Sequence, residues 1–280
     1  MEGLFEKITA ELRENGVEGP RLEARMIFGA VLGLDYAQIS GRESVSAEQE
    51  KKILAFAEKR LNYMPLDKIL GKKFFYKNEF FVDENVLSPR PDTEILVEQA
   101  IDIAQKNDAK TILDMGIGSG CILFSILSDC KDLQGVGIDI SSKALEIAEK
   151  NMNNMLLGDR AKLYQKSWHD ADMVEFFPEK FDMIVSNPPY IPVDDEEFLM
   201  PEVKNYDPKI ALFAGKDGLD EYKKIAEVIP KMLKDNGFLL FEVGINQAEK
   251  VRNIFENAGF SHIETIKDLS GIDRCVIFKK

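Results

Sequence analysis

Beyond Lys110 the chain alternates short apolar runs with amphipathic helical patterns, and no other feature restricts its fold as strongly. This alternation is typical of an α/β fold, in which a doubly wound, mostly parallel sheet carries helices on both faces. Two final runs joined through Gly271 predict an antiparallel finish. The seven predicted strands are 111–114, 135–139, 161–165, 181–186, 238–243, 262–268 and 273–279.

The first sixty or so residues repeat a helical period instead, and glycines interrupt the pattern between helices. The repeat predicts a small helical bundle in front of the sheet. Its inward-facing residues are predicted to be Leu4, Phe5, Ile8, Leu12, Leu22, Met26, Ile27, Ala30, Val31, Ile53, Leu54, Ala57 and Leu61.

Between these two regions the sequence becomes aromatic and β-branched. Phe74-Phe75-Tyr76 and Phe80-Phe81-Val82 flank Lys77-Asn78, a pattern that predicts a β-hairpin. Pro89-Arg90-Pro91 ends the hairpin, and Asp92 is a plausible N-cap for the next helix. We therefore predict a helical domain at 1–66, a hairpin linker at 67–88 and the α/β domain at 89–280.

The charge balance excludes a protein whose whole surface neutralises phosphates. Lys and Arg number 36 against 49 Asp and Glu, for a net charge of −13, whereas nucleic-acid surfaces depend on clustered basic residues. The basic stretch 51–77 is the one place where a local phosphate-binding patch is still possible. Three cysteines without a Cys-x-x-Cys pair, and two histidines, predict no metal site and fit a reducing compartment. With no signal-peptide pattern and no apolar run of membrane length, we expect a cytoplasmic protein.

A glycine-rich loop, Gly116-Ile117-Gly118-Ser119-Gly120, follows the first predicted strand and opens a helix. Glycines there allow the backbone to approach a ligand closely at the carboxyl end of the sheet. Asp139 ends the next strand, where a carboxylate can accept both hydroxyl protons of a ribose. Together these residues predict a site for a nucleotide-like cofactor.

A second motif, Asn187-Pro188-Pro189-Tyr190, directly follows the strand at 181–186. The two prolines make a rigid segment with free carbonyls. The Asn187 side-chain oxygen and the Pro188 carbonyl can accept both hydrogens of a planar NH₂ group, while Tyr190 packs against the group that bears it. We call residues 187–190 the amide clamp.

Such an arrangement suits methyl transfer to an amide or aryl-amine nitrogen. The lone pair of that nitrogen is delocalised, and two acceptors favour its pyramidalisation while binding aligns it for in-line attack. A dedicated base is unnecessary because the methylated nitrogen is strongly acidic. The predicted catalytic residues are Asn187, Pro188 and Tyr190, and no histidine is needed.

The glycine spacing Gly-x-Gly-x-Gly resembles motif I of class I methyltransferases, whose cofactor is S-adenosylmethionine. The surrounding sequence closely resembles the HemK/PrmC family of peptide chain release factor glutamine methyltransferases. The matching segments are Leu87-Ser-Pro-Arg-Pro-Asp-Thr-Glu94, Ile184-Val-Ser-Asn-Pro-Pro-Tyr-Ile191, Gly218-Leu and Gly237-Phe-Leu-Leu-Phe-Glu-Val-Gly244.

This resemblance implies a substrate, the glutamine amide in the Gly-Gly-Gln motif of class I release factors, and a helical domain that recognises it. It implies that residues 116–120 wrap the methionine part of the cofactor, that Asp139 holds the ribose and that Trp168 lies along the adenine. Asn187 would touch both cofactor and substrate, and residues 187–190 would hold the glutamine. It also implies a monomer without direct contact to nucleic acid or membrane.

One position departs from the family pattern. An Asp commonly precedes the Trp and receives the adenine amino group, whereas this chain has Ser167. Asp170 and Asp172 are the candidates to replace it.

Two other functions compete with this interpretation. A nucleic-acid methyltransferase acting on adenine N6 or guanine N2 could stack a flipped base on Tyr190 and meet phosphates with 51–77. The net charge and the lack of a target-recognition domain oppose it. A binding protein that has lost catalysis is the third class, and the intact Gly116, Asp139 and Asn187 oppose that.

Overall fold

The computed structural model describes residues 1–34 and 44–280, and the chain divides into two compact units. The smaller unit combines Met1–Lys72 with Met200–Tyr206, a short segment from much later in the chain. The larger unit comprises Lys73–Leu199 and Asp207–Lys280.

Helices α1 (Glu2–Glu14), α2 (Pro20–Leu32), α3 (Ala47–Leu61) and α4 (Leu66–Leu70) form the N-terminal part of the smaller unit. Local sequence explains several of their ends. Pro20 opens α2, where its missing N–H costs nothing, and Gly33 ends it in a left-handed conformation. A capping box starts α3: the Ser46 hydroxyl accepts the Gln49 N–H at 3.2 Å, and the Gln49 side chain accepts the Ser46 N–H at 3.0 Å.

The core of this unit confirms the predicted helical region but not every predicted inward residue. Leu22 is 56% exposed, Met26 is 45% exposed and Leu54 is 37% exposed, and Ala30 is exposed as well. The apolar stripe of α2 is wider than the part of the helix that packs into the core. Only Ala24, Ile27 and Phe28 of this helix are buried. The buried core consists of Phe5, Ile8, Leu12, Val17, Ala24, Ile27, Phe28, Ile53 and Ala57.

A buried guanidinium joins the late segment to the rest of the smaller unit. Arg60, in α3, donates to Glu23 through Nε at 2.5 Å and Nη2 at 3.3 Å. The same Nη2 lies 2.6 Å from Oε1 of Glu202, in helix α9 (Pro201–Tyr206). Tyr206 donates its hydroxyl to the Asn62 carbonyl at 2.7 Å. Burial would lower the pKa of Arg60, but the two carboxylates outweigh it and the pKa is raised.

The hairpin consists of β1 (Lys72–Phe75) and β2 (Asn78–Phe81), turning through Tyr76 at a φ of 56°. The chain then reaches a 3-10 turn at Pro91–Thr93 and helix α5 (Glu94–Lys106). Asp92 lies inside this turn and makes no side-chain cap, so its predicted N-cap role is wrong. Arg90 is extended before Pro91, and Pro91 starts the turn two residues before the helix start that an Asp92 N-cap predicts.

The larger unit contains the predicted seven-stranded sheet. Its strands are β3 (Thr111–Met115), β4 (Gln134–Asp139), β5 (Ala161–Gln165), β6 (Phe181–Ser186), β7 (Leu233–Glu242), β8 (Ser261–Lys267) and β9 (Asp273–Lys279). They lie in the order β5-β4-β3-β6-β7-β9-β8. The first five strands in this order are parallel, and β9 is antiparallel to both β7 and β8, which confirms the α/β fold with its antiparallel finish.

Two apolar clusters cover the two faces of the sheet. Successive strand residues alternate between them, as Ile112 and Leu113 do in β3. The helices that follow α5 in the larger unit are α6 (Cys121–Asp129), α7 (Ser142–Asn154), α8 (Met173–Phe176), α10 (Asp220–Met232) and α11 (Ala248–Asn257), and 3-10 turns occupy Val193–Phe198 and Lys209–Ala211. One cluster contains buried residues of α5, α6 and α7, and the other contains buried residues of α10 and α11.

Across residues 1–34 and 44–280, we find no helix with the length and apolar character needed to cross a bilayer. The same residues contain no group of His, Cys, Asp or Glu arranged to hold a metal ion.

Candidate active site

The glycine loop connects β3 to α6 and lies at the carboxyl edge of the sheet. Gly116, Gly118 and Gly120 have φ angles of 83°, 54° and 83°, a region that side chains other than glycine rarely enter. The Gly116 and Ile117 N–H groups both donate to the Ile138 carbonyl of β4 at 2.9 Å. The loop is therefore held against the neighbouring strand, and its backbone faces the space above the sheet.

Asp139 ends β4 beside this loop, and both of its oxygens accept backbone hydrogen bonds. Oδ2 accepts the Gly118 N–H at 3.0 Å, and Oδ1 accepts the Ser141 N–H at 2.9 Å. Burial raises the pKa of Asp139, and these two N–H groups act against that rise. Each oxygen keeps a second lone pair, so the carboxylate can still accept hydroxyl protons from a ligand.

Asp114, two residues before the loop, is a buried carboxyl group with no exposed surface. Neither of its side-chain oxygens has a hydrogen-bond partner among the described residues. Burial is the main cause that raises its pKa to about 7, the backbone N–H group of Leu123 opposes the rise, and the nearby Asp139 charge adds to it. This carboxyl group therefore holds a proton more readily near neutral pH than an exposed Asp does.

Asp114→Asn tests this property through stability. The raised pKa means that the folded state binds a proton more tightly than the unfolded state. The ionisation of Asp114 therefore lowers the free energy of unfolding as pH rises towards 7, and the loss is largest above pH 7. Urea unfolding of the ligand-free protein should show the variant to be more stable than wild type at pH 8. The difference in free energy of unfolding between variant and wild type should be about 2 kcal/mol smaller at pH 5 than at pH 8. Asp235→Asn, at an exposed position, is the control and should show no such trend.

Trp168 lies over the glycine loop, and its ring comes within 3.5 Å of where a Gly116 Cβ would be. Its indole Nε1 donates to Oε2 of Glu221 at 2.5 Å, and Nε2 of His169 lies 2.8 Å from the same oxygen. Glu221, near the start of α10, therefore holds the ring in place. Analysis of the sequence missed Glu221, which adjoins the recognised Gly218-Leu segment but has no signal of its own.

The two candidates to replace the missing Asp at Ser167 have other partners. Asp170 accepts the Ser167 N–H at 3.0 Å, and Asp172 pairs with Lys166 at 2.8 Å. Neither is among the described residues that line the cavity, whereas Glu221 is.

The amide clamp begins where β6 ends. Ser186, the last residue of β6, donates its hydroxyl to the Met115 carbonyl at 2.5 Å and joins the end of β6 to the end of β3. The Tyr190 carbonyl accepts from Gln247 Nε2 at 2.8 Å, and the Tyr190 hydroxyl donates to Glu242 Oε1 at 3.4 Å. Burial and the Glu242 charge raise the pKa of Tyr190 to about 12, so its hydroxyl stays protonated.

One cavity of about 290 Å³ connects the two motifs, close to the lower end of the range for small-molecule sites. It brings together the predicted site residues Gly116, Ile117, Gly118, Ser119, Asp139, Trp168, Asn187 and Pro189. The lining does not include Gly120, Pro188 or Tyr190. It does include residues 85–90 and Thr93, to which the residue-level reasoning gave no role.

Comparison with known families covers both units. Residues 4–71 match the PrmC N-terminal domain, and residues 106–269 match a methyltransferase domain. The chain is 36% identical over 268 residues to the release factor glutamine methyltransferase of Caulobacter vibrioides, covering 95% of this chain and 91% of that protein. It is 39% identical over 267 residues to that of Geobacter sulfurreducens, with 95% and 91% covered.

A solved structure shares the fold at low identity. The hMettl16 catalytic domain, in complex with MAT2A 3′UTR hairpin 6, matches with a TM-score of 0.57 and 14% identity. The match covers 90% of this chain and 91% of that one. At this level of identity the likeness concerns the fold alone.

Proposed function

Because this chain belongs to the release factor glutamine methyltransferase family, we propose that it methylates N5 of a glutamine side chain in class I peptide chain release factors. The methyl donor is S-adenosylmethionine, and the target glutamine is that of the Gly-Gly-Gln motif. One observation carries the proposal: a single cavity joins the glycine loop after β3 to the amide clamp after β6.

The residues of the cavity fit the methyl donor. Asp139 lines the cavity and keeps lone pairs for the ribose hydroxyls. The open backbone of residues 116–120 suits the methionine part, and Trp168, held by Glu221, supplies a flat face for the adenine. When bound, S-adenosylmethionine would supply an electrophilic methyl group, whose bond to the sulfonium breaks as the bond to nitrogen forms, and would leave as S-adenosylhomocysteine.

The amide clamp supplies the other half of the reaction. Asn187 Oδ1 and the Pro188 carbonyl accept the two N–H bonds of the glutamine amide, hold its plane and direct the nitrogen lone pair into the cavity. As the nitrogen takes the methyl group it becomes cationic and strongly acidic, so it releases a proton to water without a dedicated base. Tyr190, whose hydroxyl is held by Glu242, keeps its ring beside the clamp.

The nucleic-acid alternative is not favoured. The net charge of −13 opposes a phosphate-binding surface, and relatives at 36–39% identity are named for release factors. We accordingly propose that the protein acts as a cytoplasmic monomer whose residues 1–66 recognise the release factor, without direct contact to nucleic acid or membrane.

Transfer of labelled methyl groups tests the function. The protein is incubated with labelled S-adenosylmethionine and, in separate reactions, a class I release factor, its Gly-Gly-Gln→Gly-Gly-Ala variant and unmethylated nucleic acid. We expect label on the release factor alone, recovered as N5-methylglutamine after digestion. Label on DNA or RNA, or label that persists on the variant, would contradict the proposal.

A further inference from the structure

A buried carboxylate lies directly beside the amide clamp. Strands β6 and β7 are parallel neighbours with Ser186 paired to Phe241, so the next residues along, Asn187 and Glu242, stand side by side at the carboxyl edge. Glu242 is only 2% exposed. A carboxylate buried at such a position costs stability unless it is paired with opposite charge and hydrogen-bonded.

Three side chains approach this carboxylate, and two of them, Thr93 and Asn187, line the cavity. Tyr190 donates its hydroxyl to Oε1 at 3.4 Å, and the side chains of Thr93 and Asn187 approach closely enough to act against the pKa rise that burial causes. The second oxygen, Oε2, completes no hydrogen bond with any described residue. Glu242 therefore presents spare acceptor capacity towards the clamp.

Two arginines favour the charged form of this carboxylate. Arg90 and Arg274 both lower the pKa of Glu242, although burial leaves it above its ordinary value. Arg274 is itself held by Asp268 at 2.9 Å and by Asp92 at 3.2 Å. Arg90, Asp92 and Thr93 all come from the Leu87–Glu94 segment, so that segment surrounds Glu242 with positive charge and a hydroxyl group.

Orientation of the Asn187 amide decides whether the clamp can work. The amide has two orientations related by a flip. One turns Oδ1 towards a substrate NH₂ group, which it can accept from, and the other turns the Asn187 NH₂ group towards the substrate NH₂ group, so that no hydrogen bond can form. A carboxylate behind Asn187 accepts from Nδ2 but repels Oδ1, so it stabilises the productive state. A neutral amide at the same place could donate to Oδ1 and would stabilise the unproductive state equally well.

From this geometry we infer that Glu242 is a positioning residue, which accepts from Asn187 Nδ2 and turns Asn187 Oδ1 towards the substrate amide. The inference rests on the proposed function. It also gives the Leu87–Glu94 segment a task, which is to hold Glu242 ready to accept.

Glu242→Gln is the variant that separates positioning from structural support, because it keeps size and removes the charge. We expect kcat for release factor methylation to fall roughly 10- to 100-fold, while the Kd for S-adenosylmethionine changes less than about threefold. Quenching of Trp168, the only tryptophan, reports that Kd. The urea midpoint should stay equal or rise, since a buried charge is removed. Glu249→Gln, on the exposed side of α11, is the matched control and should leave all three values unchanged.

A double-mutant cycle completes the test. If Glu242 acts through Asn187, then Glu242→Gln should cause little further loss of kcat in an Asn187→Ala background. Losses that multiply, an unchanged kcat in the single variant, or a fall in kcat matched by a fall in the urea midpoint would overturn the inference. Wild-type protein is assayed alongside: failure to label the release factor refutes the proposed function, whereas normal labelling with multiplying losses refutes only the role of Glu242.

Discussion

Replacing Asn187 by alanine is expected to lower kcat for release factor methylation by about 10²-fold or more, the scale of losing one preorganised hydrogen-bonding group. Alanine removes the oxygen that holds the substrate amide but leaves the glycine loop, Asp139 and Trp168 in place. The Kd for S-adenosylmethionine should therefore stay within a few-fold of wild type. Single-turnover methylation measures the chemical step, and Trp168 fluorescence measures cofactor binding.

Asp139→Ala is the reciprocal control for this prediction. Asp139 holds the Gly118 and Ser141 N–H groups and keeps lone pairs for ribose hydroxyls, so its removal should mainly weaken cofactor binding. At saturating cofactor, its kcat should fall much less than that of Asn187→Ala. Near-normal turnover of Asn187→Ala, or an unchanged Kd for Asp139→Ala, would contradict the roles assigned to these residues.

Gly218→Ala is expected to lower the free energy of unfolding by roughly 4 kcal/mol or more and to reduce methylation in the fraction that folds. Gly218 has a φ of 70°, and an added Cβ would lie 2.2 Å from the Tyr190 carbonyl oxygen and 2.6 Å from Gln247 Nε2. Those two atoms form the hydrogen bond that holds the end of the amide clamp. The alanine therefore displaces the Tyr190 backbone as well as the Gln247 side chain.

Gly259→Ala separates this clash from conformational strain. Gly259 also has a positive φ, 92°, but an added Cβ there meets nothing within 4 Å. Its cost should stay near 1 kcal/mol, the ordinary penalty for alanine in this conformation. Urea unfolding of both variants gives the comparison. Equal costs at the two positions would show that contact with the Tyr190 carbonyl is unimportant.

Most of the sheet could be predicted because strands such as β3 and β6 are buried on both faces and therefore stand out as short apolar runs. In the antiparallel finish β9 is buried in the same way, whereas β8 is an exposed edge strand that was found from its place before the Gly271 turn. The inward face of α2 was harder, because Leu22 and Met26 extend its apolar stripe beyond the contact that forms. Periodicity reports the direction of a stripe and says little about which edge of it is covered.

Part of the candidate site could be predicted from the sequence and part could not. Its two motifs could be found because glycines and prolines determine the local backbone geometry. Glu221 and Glu242 could not be given roles, because a carboxylate is common on surfaces and only the fold reveals that these two face Trp168 and Asn187. The sequence match drew attention to the segment that contains Glu242 but offered no physical reason for the residue.

The contact between Arg60 and Glu202 bears on how this protein could be taken apart or recombined. Because Met200–Tyr206 belongs to the smaller unit, the chain passes from one unit to the other at three places rather than one. A fragment ending near Lys72 would keep the buried guanidinium and lose one of its two carboxylates. Another enzyme could acquire the complete smaller unit only if it also acquired the seven residues Met200–Tyr206, which lie in the middle of the catalytic sequence. The N-terminal helices and the catalytic sequence are therefore expected to evolve together.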